Sequence, residues 1–178
     1  MEETKKVTKV FFAWQDEKEE NWLNDMASKG WMLKGVNKLT YTFIKSDIHD
    51  PIIYKLDYRS TRNDDFEEYK GIFEDAGWEH VGMFGDWHYF KGKSSCVGQE
   101  DIYSDSSSKI EKYKNLLYRL IIGLICMVII SLSFMFKSIE SLSFLFILFR
   151  IIYLVFIGLI CYSIYKTYGK IQSLNKSL

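Results

Sequence analysis

Residues 22–31, Trp-Leu-Asn-Asp-Met-Ala-Ser-Lys-Gly-Trp, lie over residues 69–78, Tyr-Lys-Gly-Ile-Phe-Glu-Asp-Ala-Gly-Trp, at an offset of 47 positions. Each segment ends in Gly-Trp. Trp22, Leu23, Met26 and Ala27 recur at helical spacing, as do Phe66, Tyr69, Phe73 and Ala76. A glycine just after such a stripe supplies the left-handed residue that closes a helix, so Gly30 and Gly77 predict helix ends. Trp31 and Trp78 then start the next strands. Asp16-x-x-Glu19 and Asp64-x-x-Glu67 predict N-terminal caps, with acids facing the positive end of each helix dipole.

Outward from the two helices, the flanks also match. The apolar runs KVFFAW (9–14) and IIYKLDYR (52–59) precede them, and hairpin-like pairs follow: WMLKGVN (31–37) with LTYTFIK (39–45), and WEHVGMF (78–84) with WHYFKG (87–92). The unit is β-α-β-β, used twice, over about 7–46 and 51–92. Six strands and two helices predict an α+β domain, residues 1–93, with a ferredoxin-like antiparallel sheet and both helices on one face. In the strand 52–59, Ile52, Tyr54, Leu56 and Tyr58 alternate with Ile53, Lys55, Asp57 and Arg59. That alternation predicts a half-buried strand with one mainly polar, open face.

A polar, serine-rich linker follows at 94–108, in which Ser108-x-x-Glu111 predicts a helix cap. The remainder, 109–178, reads as a membrane region. Residues 120–136, LIIGLICMVIISLSFMF, carry no charge, and Leu116–Tyr118 extend the run. A helix of about 20 residues spans the hydrocarbon core at about 1.5 Å per residue. Lys137–Glu140 predicts a polar turn, and a second apolar run fills Ser141–Tyr165. Spans are predicted at about 116–136 and 142–165, because soluble helices alternate polar and apolar faces and these do not. Lys109, Lys112, Lys114 and Arg119 precede the first span, and Lys166, Lys170 and Lys176 follow the second, whereas the turn offers Lys137 offset by Glu140. The positive-inside rule then predicts a two-span protein of the cell membrane with both termini cytoplasmic. Arg150 stands inside the second span. Its side chain either snorkels to the headgroups or pairs with an acidic group on a partner.

Whole-chain averages hide this division: the mean hydropathy of −0.09 blends a charged half with an apolar one. Lys+Arg and Asp+Glu both number 23 in 178 residues, so no excess of positive charge predicts a nucleic-acid partner. Cys96, Cys126 and Cys161 form no C-x-x-C pair, which argues against a zinc site and a secreted disulfide framework and predicts a reducing, cytosolic setting for the N-terminal domain. The start of the chain lacks the apolar core of a signal peptide.

Candidate site residues are few. Asp57 and Arg59 share the polar strand face with Lys55, either as a charged site or as an ordinary cross-strand ion pair. His80 and His88 share a face if the hairpin loop is 82–86 and lie on opposite faces if the turn is only Gly85-Asp86. With His49 elsewhere, no third ligand stands at a telling spacing, so no metal is expected. Trp14 belongs to a dense aromatic set with Trp22, Trp31, Trp78 and Trp87, which serves as core or as a platform for a planar ligand or peptide. No nucleophile–base arrangement, paired catalytic carboxylates or phosphate-cradling glycine loop is present, so neither catalysis nor a cofactor is expected.

Phe11-Phe12-Ala13-Trp14, Trp22-Leu23 with Gly30-Trp31, Tyr54-Lys-Leu-Asp57-Tyr-Arg59 and Ala76-Gly77-Trp78 together resemble the bacterial family called domain of unknown function 2812, over about residues 7–92. The resemblance implies C-terminal membrane helices and, because such genes lie beside PadR-type transcriptional regulators, a setting in regulation or envelope stress. It lends no activity. The expected function is a membrane-anchored, cytosol-facing binding or sensory module with a regulatory or scaffolding role, with the lipid bilayer and an unidentified protein as partners. The alternatives are a small accessory or immunity-type subunit acting through the hairpin and Arg150, and an enzyme on a membrane substrate.

Overall fold

The computed structural model describes residues 3–46, 51–60, 65–95, 106–135 and 144–176, and divides into two units, Met1–Ser108 and Lys109–Leu178. His49, Asp64, Cys96 and the Lys137–Glu140 turn lie outside the described residues.

The first unit is α+β: β1 (Thr4–Thr8), α1 (Asp16–Ser28), β2 (Trp31–Asn37), β3 (Thr40–Lys45), β4 (Ile52–Tyr58), α2 (Phe66–Asp75), β5 (Trp78–Phe84) and β6 (Trp87–Lys93). The single ferredoxin-like sheet expected from the strand count is not formed. Two three-stranded antiparallel sheets appear, ordered β1-β3-β2 and β4-β6-β5. The first strand is the preceding Thr-Lys segment rather than KVFFAW, whose residues 9–14 form the connection into α1.

Both sheets carry the same irregularities. A register shift falls between Leu33 and Gly35 in one hairpin and between His80 and Gly82 in the other. The turns hold left-handed Lys38 (φ 54°) and Gly85 (φ 61°), and the helices are followed by left-handed Gly30 (φ 78°) and Gly77 (φ 87°). A bulge re-aims every side chain beyond it. The bulge at Val81 therefore brings His80 to the face of His88 although the turn is the short Gly85-Asp86 one.

The N-terminal caps differ from expectation. Asp16 is the first residue of α1, after Gln15, and no side chain caps the helix. Instead Gln15 Oε1 accepts a hydrogen bond from Phe12 N (3.1 Å), which fixes the preceding loop. α2 likewise starts without a side-chain cap.

α1 is packed against both sheets. Its Leu23, Met26 and Ala27 join Leu33, Tyr41 and Phe43 of the first sheet and Tyr54, Leu56 and Tyr89 of the second in one buried core. The opposite face of the second sheet packs Trp78 and Phe90 under α2 through Tyr69, with Phe66 and Phe73 at its margin; Ala76, expected on this stripe, is exposed. Both faces of β4 are thus occupied, and Tyr54, Leu56, Asp57 and Tyr58 are all buried.

β4 is an edge strand, and its outward N–H groups are claimed by side chains. Tyr54 N donates to Asn24 Oδ1 (2.6 Å), Leu56 N to Glu20 Oε1 (2.9 Å) and Tyr58 N to Asp57 Oδ1 (2.7 Å). An edge strand left bare is a template for pairing with other chains, and α1 closes this one.

The second unit holds α3 (Ser106–Met135) and α4 (Phe144–Lys176), both long and apolar enough to cross a membrane. Each exceeds its predicted span, and Ser108 lies inside α3 rather than capping it. The less exposed residues of α4 include Tyr153, Ile157, Ile160, Ile164, Thr167, Ile171 and Leu174, with Ser163 and Lys170 beside them, and those of α3 include Tyr113, Leu117, Leu120, Leu124, Met127 and Ser131. Alternating spacings of three and four are the seam of a helical pair. Tyr153 Oη donates to the Met127 carbonyl near one end, and Lys170 Nζ to Tyr113 Oη (3.2 Å) near the other. Around the seam, Ile121, Ile125, Ile129, Ile151, Leu154 and Phe156 face outward.

Candidate functional site

Asp57 and His88, placed opposite each other by the β4–β6 register, form a covered polar cluster rather than an open charged face, and Arg59 stands exposed at its margin. Asp57 is 6% exposed and His88 fully buried, because α2 lies over them. Tyr69 Oη donates to Asp57 Oδ2 (2.8 Å), while Oδ1 takes the Tyr58 N–H. The Arg59 guanidinium lies 5.1 Å from the centroid of the Tyr69 ring. His88 Nε2 lies 3.0 Å from the Arg59 carbonyl oxygen, and His88 Nδ1 lies 3.4 Å from His80 Nε2. Burial first, and for His80 the neighbouring His88 next, pushes both imidazoles below their ordinary 6.5. The neutral forms are therefore held, which suits a hydrogen-bonded interior network. Burial, with Asp57 next, also pushes the Tyr69 hydroxyl up, so it stays a donor.

Trp14 is not in this cluster. It stacks on Phe12 at 4.8 Å and 8° in the loop before α1. Arg150 is exposed on α4. Among the described residues no group of three His, Cys, Asp or Glu is placed to hold a metal.

A concave feature lies elsewhere in the first unit, where the loop before α1, the β2–β3 turn and the β5–β6 hairpin converge. A cavity of about 200 Å³ is lined by Phe11, Phe12, Ala13, Asp16, Glu19, Lys38, Leu39, Tyr41, Phe84, Trp87 and Tyr89. Glu19 is its chemical centre. Tyr41 Oη and Tyr89 Oη both donate to Glu19 Oε1, each at 2.6 Å, from two different sheets. Among the described residues no protein group donates to Oε2. Burial raises the Glu19 carboxyl above its ordinary 4.5; the two tyrosines partly counter this, and Asp16 and Glu20 add to it. Burial and the Glu19 contact drive both tyrosine hydroxyls up, so they remain protonated donors.

In the sequence Glu19 reads as a capping acid, and no local pattern singles out Tyr41 or Tyr89. A signal was available. The buried residues of α1 are Asp16, Glu19, Glu20, Leu23, Met26 and Ala27, a single stripe whose first half is acidic. An acid at a stripe position needs buried donors. Glu20 finds Leu56 N and Lys55 Nζ (3.3 Å), and Glu19 finds the two tyrosines.

The family model described as "Protein of unknown function (DUF2812)" matches residues 15–126, a stretch that includes α1, both sheets from β2 onward and the first part of α3. No curated protein and no solved structure matches the chain.

Proposed function

This chain belongs to the DUF2812 family of proteins of unknown function, and we propose that within it the N-terminal domain is a binding or sensory module held at the cytoplasmic face of the cell membrane by a two-span hairpin. The observation that carries the reading is the Glu19 cavity: a small cleft with aromatic walls and one carboxylate bonded on one oxygen only. Binding sites are concave and mostly apolar, with a few placed polar groups, and this cleft has that composition. The Asp57–His88 cluster is read as structural, since its groups are enclosed and mutually bonded. The role follows as regulatory or scaffolding, with no chemistry performed on the ligand.

The anchor rests on α3 and α4, whose outward isoleucine, leucine and phenylalanine side chains suit lipid, and on the flanking lysines, which favour cytoplasmic termini. The module is read as a duplicated β-α-β-β unit. Matching strand orders, bulges at Lys34 and Val81, and left-handed residues at 30 and 77 and at 38 and 85 support it, all 47 positions apart.

A second reading places the function in the membrane, on the strength of Arg150 exposed among apolar residues of α4. The test compares what copurifies with the full chain, Trp87→Ala and Arg150→Leu in one mild detergent. Loss of the bound small molecule or partner in Trp87→Ala, with retention in Arg150→Leu, supports the module. The opposite pattern moves the function to the hairpin.

A further inference from the structure

We propose that the Glu19 cleft binds a methylated ammonium cation of the choline type; the assignment rests on the reading of the N-terminal domain as a binding module. Three observations carry it. First, the rings of Phe11, Phe12, Tyr41, Phe84, Trp87 and Tyr89 line the space, and such rings attract a cation through their quadrupoles. Second, the charge lining the cleft is of the complementary sign: Glu19 and Asp16, 7% and 2% exposed, are both lining residues. Tyr41 and Tyr89 occupy Glu19 Oε1, so the carboxylate is oriented and its Oε2 remains for a ligand. Third, the same aromatic cluster already holds a cation of the protein itself. Lys9 Nζ lies 5.0 Å from the Phe11 ring centroid and 4.5 Å from that of Trp22, and Trp22 in turn packs on Tyr41 at 4.8 Å.

A cation without N–H donors fits this site better than a primary amine. The walls offer π surface rather than acceptors, so a primary ammonium would spend one donor on Glu19 Oε2 and leave the others unpaired against the rings, a cost that methylation removes while the choline hydroxyl donates to Oε2. The cavity of about 200 Å³ suits a headgroup-sized ion rather than a long chain. Lys38 stands at the β2–β3 turn beside the cavity, so a ligand carrying an anionic tail would direct it there.

The experiment titrates choline chloride into the full chain in phosphatidylglycerol nanodiscs, following tryptophan fluorescence and calorimetric heat. The neutral carbon isostere 3,3-dimethylbutan-1-ol is the control. Saturable binding of choline about tenfold or more tighter than the alcohol is expected, with Trp87→Leu abolishing it and Glu19→Gln weakening it about tenfold. Asp16→Asn, read by the same assay, serves if Glu19→Gln fails to fold. Equal binding of alcohol and choline, or choline binding untouched by these substitutions, overturns the proposal. A lipid-headgroup source gives the same spectral change when phosphatidylcholine replaces phosphatidylglycerol with no free choline present, whereas a free solute does not. If choline fails to bind while Trp87→Ala still loses its copurifying ligand, the cation assignment falls and the binding-module reading stands. If that ligand is retained as well, both fall.

Discussion

Tyr69, from α2, donates its hydroxyl to Asp57 Oδ2 on β4 at 2.8 Å, joining the helix to the strand face it covers. Tyr69→Phe keeps the ring packing on Phe73 and Phe90 but leaves a buried carboxylate short of a donor. A loss of about 1–3 kcal/mol in the stability of the N-terminal domain is expected, read from denaturant melts. The double variant Tyr69→Phe with Asp57→Leu should recover part of the loss, because it removes the orphaned acceptor together with its donor.

Glu19 makes stability depend on pH in a stated direction. Its carboxyl titrates above 4.5 in the folded chain, chiefly through burial, so the folded state holds its proton more tightly than the unfolded one. The contribution is fully present below 4.5 and is lost as pH rises through the folded value. Glu19→Gln should remove this dependence, gaining stability relative to the parent as pH moves from 4 to 8. Melts at several pH values, followed by near-ultraviolet dichroism, check it; a constant difference across the range would refute it.

The histidine pair acts with the opposite slope. Burial holds His80 and His88 below 6.5, so the unfolded chain takes up protons first as pH falls. Their contribution is complete above 6.5 and is lost as pH drops through the folded values. Imidazole proton resonances of the folded chain should titrate below 6.5, and the His88→Gln, His80→Gln variant should lose less stability on acidification than the parent.

Asn24 presents the acceptor for Tyr54 N at 2.6 Å. Asn24→Ala leaves that edge N–H without its partner, at a cost of about 1–3 kcal/mol. Faster amide exchange at Tyr54 than at Leu56, which keeps its Glu20 bond, is the local signature.

Cys126 and Cys161 are both exposed on the helical hairpin. In sealed vesicles a membrane-impermeant maleimide should modify neither, and both should react after detergent denaturation. Prompt labelling in intact vesicles would contradict the proposed membrane placement of α3 and α4.

Helices, hairpins and the left-handed Gly30 and Gly77 were legible because each rests on local chemistry: an apolar stripe, a glycine stop, an alternating strand. The covering of the Asp57 face was not. Alternation in β4 signals one polar face, but α2 lies over that face and turns its polarity into an internal network. The histidine geometry was undecidable from loop length alone, since the bulge at Val81 reverses what the short turn implies. Sheet number escaped for a related reason, because strand count carries no information about which edges pair. The cleft was missed at its centre: Tyr41 and Tyr89 meet Glu19 only through contacts between distant segments, although the acidic half of the α1 stripe hinted at buried donors.

The use of α1 side chains to close the β4 edge ties the earlier segment of the chain to the later one. Neither half carries a complete set of partners for its own backbone. A polypeptide severed between β3 and β4 would yield two fragments that are each incomplete and mutually complementary. The N-terminal domain is therefore expected to melt as one cooperative body, with a lesion in α1 felt first in a sheet encoded some thirty residues downstream, where Asn24 meets Tyr54.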